Sequence, residues 1–249
     1  MNGYHLRIIT LLTICFSFLF SSYGVYAQID ALQEDSKFDE ALELCQVQYA
    51  SEGENVEILW RLARSYFDIA DQTSDVVIQK ENIDKALPYA KKALALDDLS
   101  AKSNHWYAVI IGKKGVLEGT KQKIINSYEV KEYGLRAIKI DPTYDGSHHL
   151  MGRWHYNIAD LAWYERTIAS AIYKTPPKGS FEEAITFFKD AMEANPEDIR
   201  HYLWLAKSYY AKSRYKDAKV TLERAKNLEI KNDSDQLLMD QVEELYKKL

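Results

Sequence analysis

Residues 199–232 read IRHYLWLAKSYYAKSRYKDAKVTLERAKNLEIKN. Tyr202, Leu205, Ala206 and Tyr209 fall at i, i+3, i+4 and i+7, so they share one face of an amphipathic helix. A polar break follows at Lys212-Ser213-Arg214. Ala218, Leu222 and Ala225 then share one face of a second helix. The small residues Ala206, Ala218 and Ala225 let two helix backbones approach closely. The stretch is a helical hairpin, and its period measures the rest of the chain.

The spacing resembles the tetratricopeptide repeat (TPR), which has a large residue, Leu, a small residue and Tyr on the first helix, then Ala and a large residue on the second, in a period of about 34. With Ile199 as position 1, stepping backwards puts Pro196 at position 32 of the preceding repeat, with Ala184, Phe188 and Ala191 at 20, 24 and 27. Its first helix carries His148, Met151, Gly152 and His155, so extra residues lie within Ala159–Lys178. One step further back, Pro142 and Ala137 pair with Tyr107, Ala108 and Ile111, and the glycine-marked segment Gly112–Thr120 is expected to be an inserted loop. Ala86, Ala90 and Ala93 pair with Leu59, Leu62, Ala63 and Tyr66, with an insertion near Asp71–Lys80. Pro88 predicts a late start or a kink there. Phe38–Tyr49 reads as a lone second helix capping the front. The expectation is therefore an all-α, tetratricopeptide-like helix-turn-helix solenoid, a right-handed superhelix with inserted longer helices and loops. Its helix pairs span about 28–50, 55–97, 100–141, 144–195 and 198–229, with a capping helix at 234–249.

Composition agrees with that class. Glycine (10) and proline (5) are scarce in 249 residues, and strand-like alternation is absent. A formal charge of −5 argues against nucleic acid as partner, because neutralising phosphates needs a basic surface. The N-terminus differs from the rest. Met1–Arg7 is short and basic, Ile8–Phe20 is mostly apolar, and Val25-Tyr26-Ala27 ends in a small residue. This reads as a signal peptide over 1–27, cleaved after Ala27, which makes the protein exported: periplasmic, cell-envelope or secreted. The alternative is an uncleaved membrane anchor, although the apolar core is shorter than the ~20 residues that span a bilayer. Leu12-Thr13-Ile14-Cys15 faintly suggests a lipoprotein site, and bulky Ile14 argues against it. After cleavage Cys45 is the only cysteine, so no intramolecular disulfide forms.

Catalytic motifs are missing. There is no Cys-x-x-Cys, His-Glu-x-x-His, Gly-x-Ser-x-Gly or Walker sequence. Gly112-Lys113-Lys114-Gly115 lacks the strand and the Gly-Lys-Ser/Thr order of a phosphate loop, and reads as a turn. His148, His149 and His155 could form a metal cluster, but positions 4 and 11 of the repeat pack between helices, so core or groove histidines are expected and no metal. Neither a catalytic residue nor a cofactor is predicted. Cys45 reads as a small buried apolar residue.

In TPR proteins, positions 2, 5, 9, 12 and 13 of each first helix line the concave face, and helical spacing puts these positions on one side. Position 5 gives Trp60, His105, His149 and Leu203. Position 9 gives Arg64, Val109, Arg153 and Lys207. Position 12 gives Phe67, Gly112, Tyr156 and Tyr210, while Lys113 and Asn157 fall at position 13. A basic column flanked by aromatics, interrupted by Glu57 and Asp68, suits an anionic and partly apolar ligand. Alternatively, these cations pair with acids of neighbouring repeats and only solubilise the face.

His148-His149-Leu150-Met151-Gly152-Arg153-Trp154, Leu161-Ala162-Trp163-Tyr164-Glu165-Arg166, the Trp106–Gly115 segment and Ser180-Phe181-Glu182-Glu183-Ala184 give a more specific match. Together they resemble the regulator of microtubule dynamics family over roughly Ala86–Leu228. The resemblance implies a TPR-like helical domain, association with microtubules, and for a membrane-anchored member phospholipid binding. The first expectation is a non-catalytic scaffold that binds a protein or peptide with an acidic or carboxylate-bearing segment. The alternative is a module that binds or transfers anionic phospholipid, with the inserted helix covering acyl chains. A microtubule-associated regulator is the third, and it requires that the N-terminal signal reading be wrong.

Overall fold

The computed structural model describes residues 24–172 and 177–249, and every regular element among them is a helix. The helices are α1 (24–34), α2 (Phe38–Glu52), α3 (Val56–Gln72), α4 (Val76–Leu96), α5 (Ala101–Glu118), α6 (Thr120–Ile140), α7 (Asp145–Ala159), α8 (Trp163–Ile172), α9 (Phe181–Ala194), α10 (Ile199–Ala211), α11 (Tyr215–Ala225) and α12 (Asp233–Tyr246). Successive hairpins α3–α4, α5–α6, α7–α9 and α10–α11 stack on their neighbours, and α8 is interposed within the third, against α6. The expected signal segment up to residue 23 lies outside the described residues. No described helix is long and apolar enough to cross a membrane.

Small residues set the stacking distance. Ala63, Ala108, Gly152 and Ala206 occupy the same repeat position on α3, α5, α7 and α10, and all are buried. Gly152 admits the Phe188 ring so closely that a Cβ there would lie 2.6 Å from a ring carbon. Side-chain caps start the helices: Asn55, Asp75, Ser100, Ser180, Asp198 and Asn232 each accept a hydrogen bond from a first-turn N–H, worth typically ~1 kcal/mol apiece. Helices α1 and α10 end in left-handed serines, Ser36 (φ 60°) and Ser213 (φ 57°). At the first, Ser36 N–H reaches Gln33 O and Lys37 N–H reaches Leu32 O, a Schellman closure.

Three expectations change. Helix α5 continues through Gly112 and Gly115 to Glu118, so the expected loop at Gly112–Thr120 is a helix followed by a break at Gly119 (φ 96°). The two helical glycines instead permit a close crossing: a Cβ on Gly115 would stand 3.0 Å from the Lys123 Cα. The insertion near Asp71–Lys80 is likewise taken up by longer helices. Helix α4 begins at Val76 and runs past Pro88, whose missing N–H costs one helical bond without ending the helix. Finally, Phe38–Tyr49 is not alone, because α1 precedes it. Buried Arg61 fastens α1 to α3, donating to Asp30 at 2.9 and 2.7 Å and to Glu57 at 2.7 Å, and Gln33 donates to Ser65 at 2.9 Å.

The apolar interior falls into two clusters. One runs from Ile29 on α1 to Leu161 just after α7, and the other from Ala184 on α9 to Leu245 on α12. A different contact joins the extremes of the array. Asn232 Nδ2 donates to Glu34 O at 2.7 Å, and Ser36 Oγ donates to Ser234 Oγ at 2.9 Å, so the turn after α1 meets the start of α12.

Candidate binding face

Helices α3, α5, α7 and α10 present the repeat positions 2, 5, 9, 12 and 13. Their cations divide into two groups by what faces them.

The first group is neutralised. Arg64 Nε lies 3.3 Å from Asp68, and Lys113 Nζ lies 2.8 Å from Asp71. Arg200, at position 2 of α10, chelates Asp198, its Nε 3.0 Å from each carboxylate oxygen. Asp198 also caps α10 through the Arg200 N–H at 2.9 Å. Arg200 holds Asp198 well below the usual carboxylate range despite burial. Burial pushes Asp68 up to about 6, even with Arg64 and Arg200 opposing the shift.

The position-5 residues form the floor. Trp60, His105 and Leu203 are buried, and His149 is half-buried. Trp60 donates its indole N–H to Glu57 at 3.1 Å. His105 packs edge-on against Tyr144 and lies 3.3 Å from Ser147 Oγ, and burial drives its pKa down to about 3. His201, fully buried, sets Nε2 3.1 Å from Asp145 and Nδ1 2.9 Å from His149 Nδ1. With Nε2–H facing the carboxylate, His201 Nδ1 accepts and His149 Nδ1–H donates, an assignment made from the network. The three histidines of the sequence cluster do not meet at one point. His148 Nε2 bonds Pro142 O at 2.9 Å, His155 stacks on Phe187, and His149 turns to α10. Among the described residues, the metal-like spacing is that of Asp145, Asp198 and His201, where the Arg200 guanidinium already neutralises Asp198.

The second group has no carboxylate partner among the described residues. The Arg153 guanidinium lies 3.9 Å from the centre of the Trp204 ring, and Lys207 Nζ lies 4.5 Å from it. Lys207 also touches Gln241 at 3.2 Å. Tyr156 meets Trp204 edge-on at 5.3 Å, Phe188 stacks at 6.3 Å, and Asn157 is half-buried one turn beyond Arg153. Lys102 Nζ sits 3.2 Å from the Tyr144 ring centre. Burial depresses all three pKa values. Arg200 adds repulsion at Arg153, Arg153 does so at Lys207, and Arg64 acts on Lys102, which falls to about 8. Phe67 packs on Trp106, and exposed Tyr210 packs on Tyr215.

Lys102 and Arg200 escape the sequence reading although both hold position 2, on the same face as the residues it named. The acids Asp71, Asp145 and Asp198 also belong here, and they lie outside the first-helix positions or at their margins. The face is thus a mixed surface with one unneutralised cationic end around Trp204.

Known proteins resemble the chain over most of its length. The family model for Regulator of microtubule dynamics protein 1-3 matches residues 25–249. Regulator of microtubule dynamics protein 1 from Bos taurus is 35% identical over 231 residues, covering 92% of this chain and 72% of the relative. Regulator of microtubule dynamics protein 3 from Mus musculus is 30% identical over 224 residues, covering 89% and 48%. Among solved structures, a thermophilic TPR protein from Thermus thermophilus superposes with a TM-score of 0.66 at 15% identity, over 90% of this chain and 97% of that one. That similarity shows the fold.

Proposed function

The chain belongs to the regulator of microtubule dynamics family, and we propose on that premise that it is a non-catalytic interaction scaffold whose concave face holds a carboxylate-bearing segment of a partner protein. One observation carries the reading: Arg153 and Lys207 share the Trp204 ring and have no carboxylate partner among the described residues. Lys207 is half-buried and feels the repulsion of Arg153, and an anion placed between the two relieves it. A carboxylate fits the guanidinium fork, and the aromatic ring supplies apolar contact beside it. Arg153→Glu with Lys207→Glu abolishes binding of a fluorescent hexaglutamate peptide while circular dichroism stays helical. Unchanged binding by the folded double variant refutes the reading.

A cleft of about 530 Å³ beside the inserted helix supports a second reading, an anionic phospholipid as ligand. Arg166 and Lys178 line it beside Ala159 and Phe181, which offers cations for a headgroup next to apolar surface, while Lys212 is paired with Glu182 at 3.4 Å. Lipid extraction of protein purified from its own host, followed by mass spectrometry, separates the two.

We infer export from the N-terminal pattern. Cleavage after Ala27 would cut within α1 and remove Tyr26, whose hydroxyl donates to Glu52 at 2.7 Å. Ile29, Asp30 and Gln33 would still hold the helix. A mature N-terminus at Gln28 supports export and removes a microtubule role of the kind that the relatives' names describe. An intact cytosolic N-terminus reverses both.

A further inference from the structure

We propose that the contact between the turn after α1 and the start of α12 is a latch that gates the concave face. The inference goes beyond the scaffold reading, and it rests on that reading only where binding is concerned. TPR hairpins touch their sequence neighbours, yet here Glu34 and Ser36 meet Asn232 and Ser234 across 198 residues. The closure is polar. Neither apolar cluster bridges it, since one ends just past α7 and the other begins on α9. With both extremes joined, α3 and α10 face each other across the concave side, and Arg200 on α10 acts on the ionisation of Asp68 on α3. A curved stack held shut by these two hydrogen bonds, the one from Asn232 exposed and the one from Ser36 part-buried, can pass between a closed and an unwound arrangement. Arg153 is exposed to water and Lys207 is half-buried in the closed arrangement, and unwinding widens the approach for a chain segment larger than water. A partner that binds the open arrangement shifts the population toward it, and its apparent affinity is reduced by the fraction that is closed.

The latch can be broken without disturbing the helices it joins. Asn232 Oδ1 caps α12 by accepting the Asp235 N–H at 2.9 Å, while Nδ2 makes the latch bond. Asn232→Asp keeps the acceptor and loses the donor. Ser36 is left-handed at φ 60°, so Ser36→Gly removes the hydroxyl at a position that favours glycine. The opposite variant is Ser36→Cys with Ser234→Cys, whose parent hydroxyls stand 2.9 Å apart, within reach of a disulfide.

The experiment combines a distance with an affinity, in a Cys15→Ser background. Cys45 is buried, with its thiol pushed up to about 11, and does not label. Spin labels at Glu40→Cys and Leu237→Cys, both exposed positions, report the separation of the ends. The expected result is one narrow distance in the parent and a longer, broader distribution in Asn232→Asp/Ser36→Gly, with circular dichroism unchanged. An unchanged narrow distance overturns the latch. Hexaglutamate binding is expected to tighten several-fold in the opened variant and to fall at least tenfold in the oxidised lock, with recovery on reduction. Equal affinity in parent, opened and locked forms overturns gating and leaves the scaffold reading intact. If none of the three binds hexaglutamate, the carboxylate reading fails, and the distance measurement alone decides the latch.

Discussion

The guanidinium of Arg153 on α7 rests 3.9 Å from the centre of the Trp204 indole on α10, bridging two repeats with no carboxylate of the described residues between them. Lys207 lies over the same ring from one turn along α10. Trp204 therefore organises both cations, and its removal should loosen them. A partly desolvated cation on an indole is worth about 0.5–2 kcal/mol. We expect Trp204→Leu to weaken hexaglutamate binding roughly tenfold and Trp204→Phe to weaken it less. Trp204 is half-buried, so helicity should survive in both. Equal affinity for Leu and Trp at this position in fluorescence anisotropy would remove the ring from the site.

Lys102 offers a chemical readout of the face. Burial and Arg64 bring its pKa from 10.5 to about 8, so at pH 8 far more of it is neutral than of an ordinary lysine. It should acylate faster than the other lysines at pH 8, as quantified by peptide mapping, and slow down when an acidic peptide is bound. The unfolded chain keeps this proton up to 10.5, so the group adds stability as pH rises from about 8 to 10.5. Uniform labelling of all lysines would contradict this account.

Asp68 titrates in the opposite sense. Its folded pKa is about 6 against 3.8 for the free side chain, so between those values the folded state binds more protons than the unfolded. Stability from this group is full below about 4 and is lost as pH rises through 6. Asp68→Asn should therefore gain about 1–2 kcal/mol on the parent between pH 4 and pH 7, a figure discounted for partial exposure. Urea unfolding at both pH values measures it, and a pH-independent difference excludes the mechanism.

Two helical glycines should respond unequally to alanine. A Cβ on Gly152 would meet three atoms of the rigid Phe188 ring at 2.6–2.8 Å. Overpacking of this kind costs typically 1–3 kcal/mol, which exceeds the ~1 kcal/mol that alanine gains over glycine in a helix. On Gly134 the closest atom is the Met151 sulfur at 2.6 Å, on a side chain that can turn away. Gly152→Ala should lower the melting temperature, and Gly134→Ala should leave it nearly unchanged. The reverse order would show that the α7–α9 contact is softer than its geometry.

The repeat architecture was legible because close packing of helix pairs demands small residues at fixed intervals. Ala63, Ala108, Gly152 and Ala206 are such residues, and each is buried. Gly112 and Gly115 misled for a physical reason. Glycine marks both turns and close backbone crossings, and only the position of α6 tells them apart. Pro88 similarly signals a boundary that tertiary packing overrides. On the concave face, the residue types could be read from the ruler, but their pairing could not. Arg64 and Arg153 hold equivalent positions and each lies over an indole, Trp106 at 5.7 Å and Trp204 at 3.9 Å, yet among the described residues only Arg64 also meets a carboxylate, Asp68. The meeting of Ser36 with Ser234 has no sequence signal, since it depends on how far the whole stack curves.

A linear stack of repeats loses order from its terminal units inward, because each has a neighbour on one side only. The bonds from Asn232 and Ser36 remove that asymmetry by giving both outermost units a second neighbour. Amide hydrogens of α12 and of the turn after α1 should then exchange with solvent more slowly in the parent than in Asn232→Asp/Ser36→Gly, while those of the tightly packed α7 and α9 should exchange alike in both.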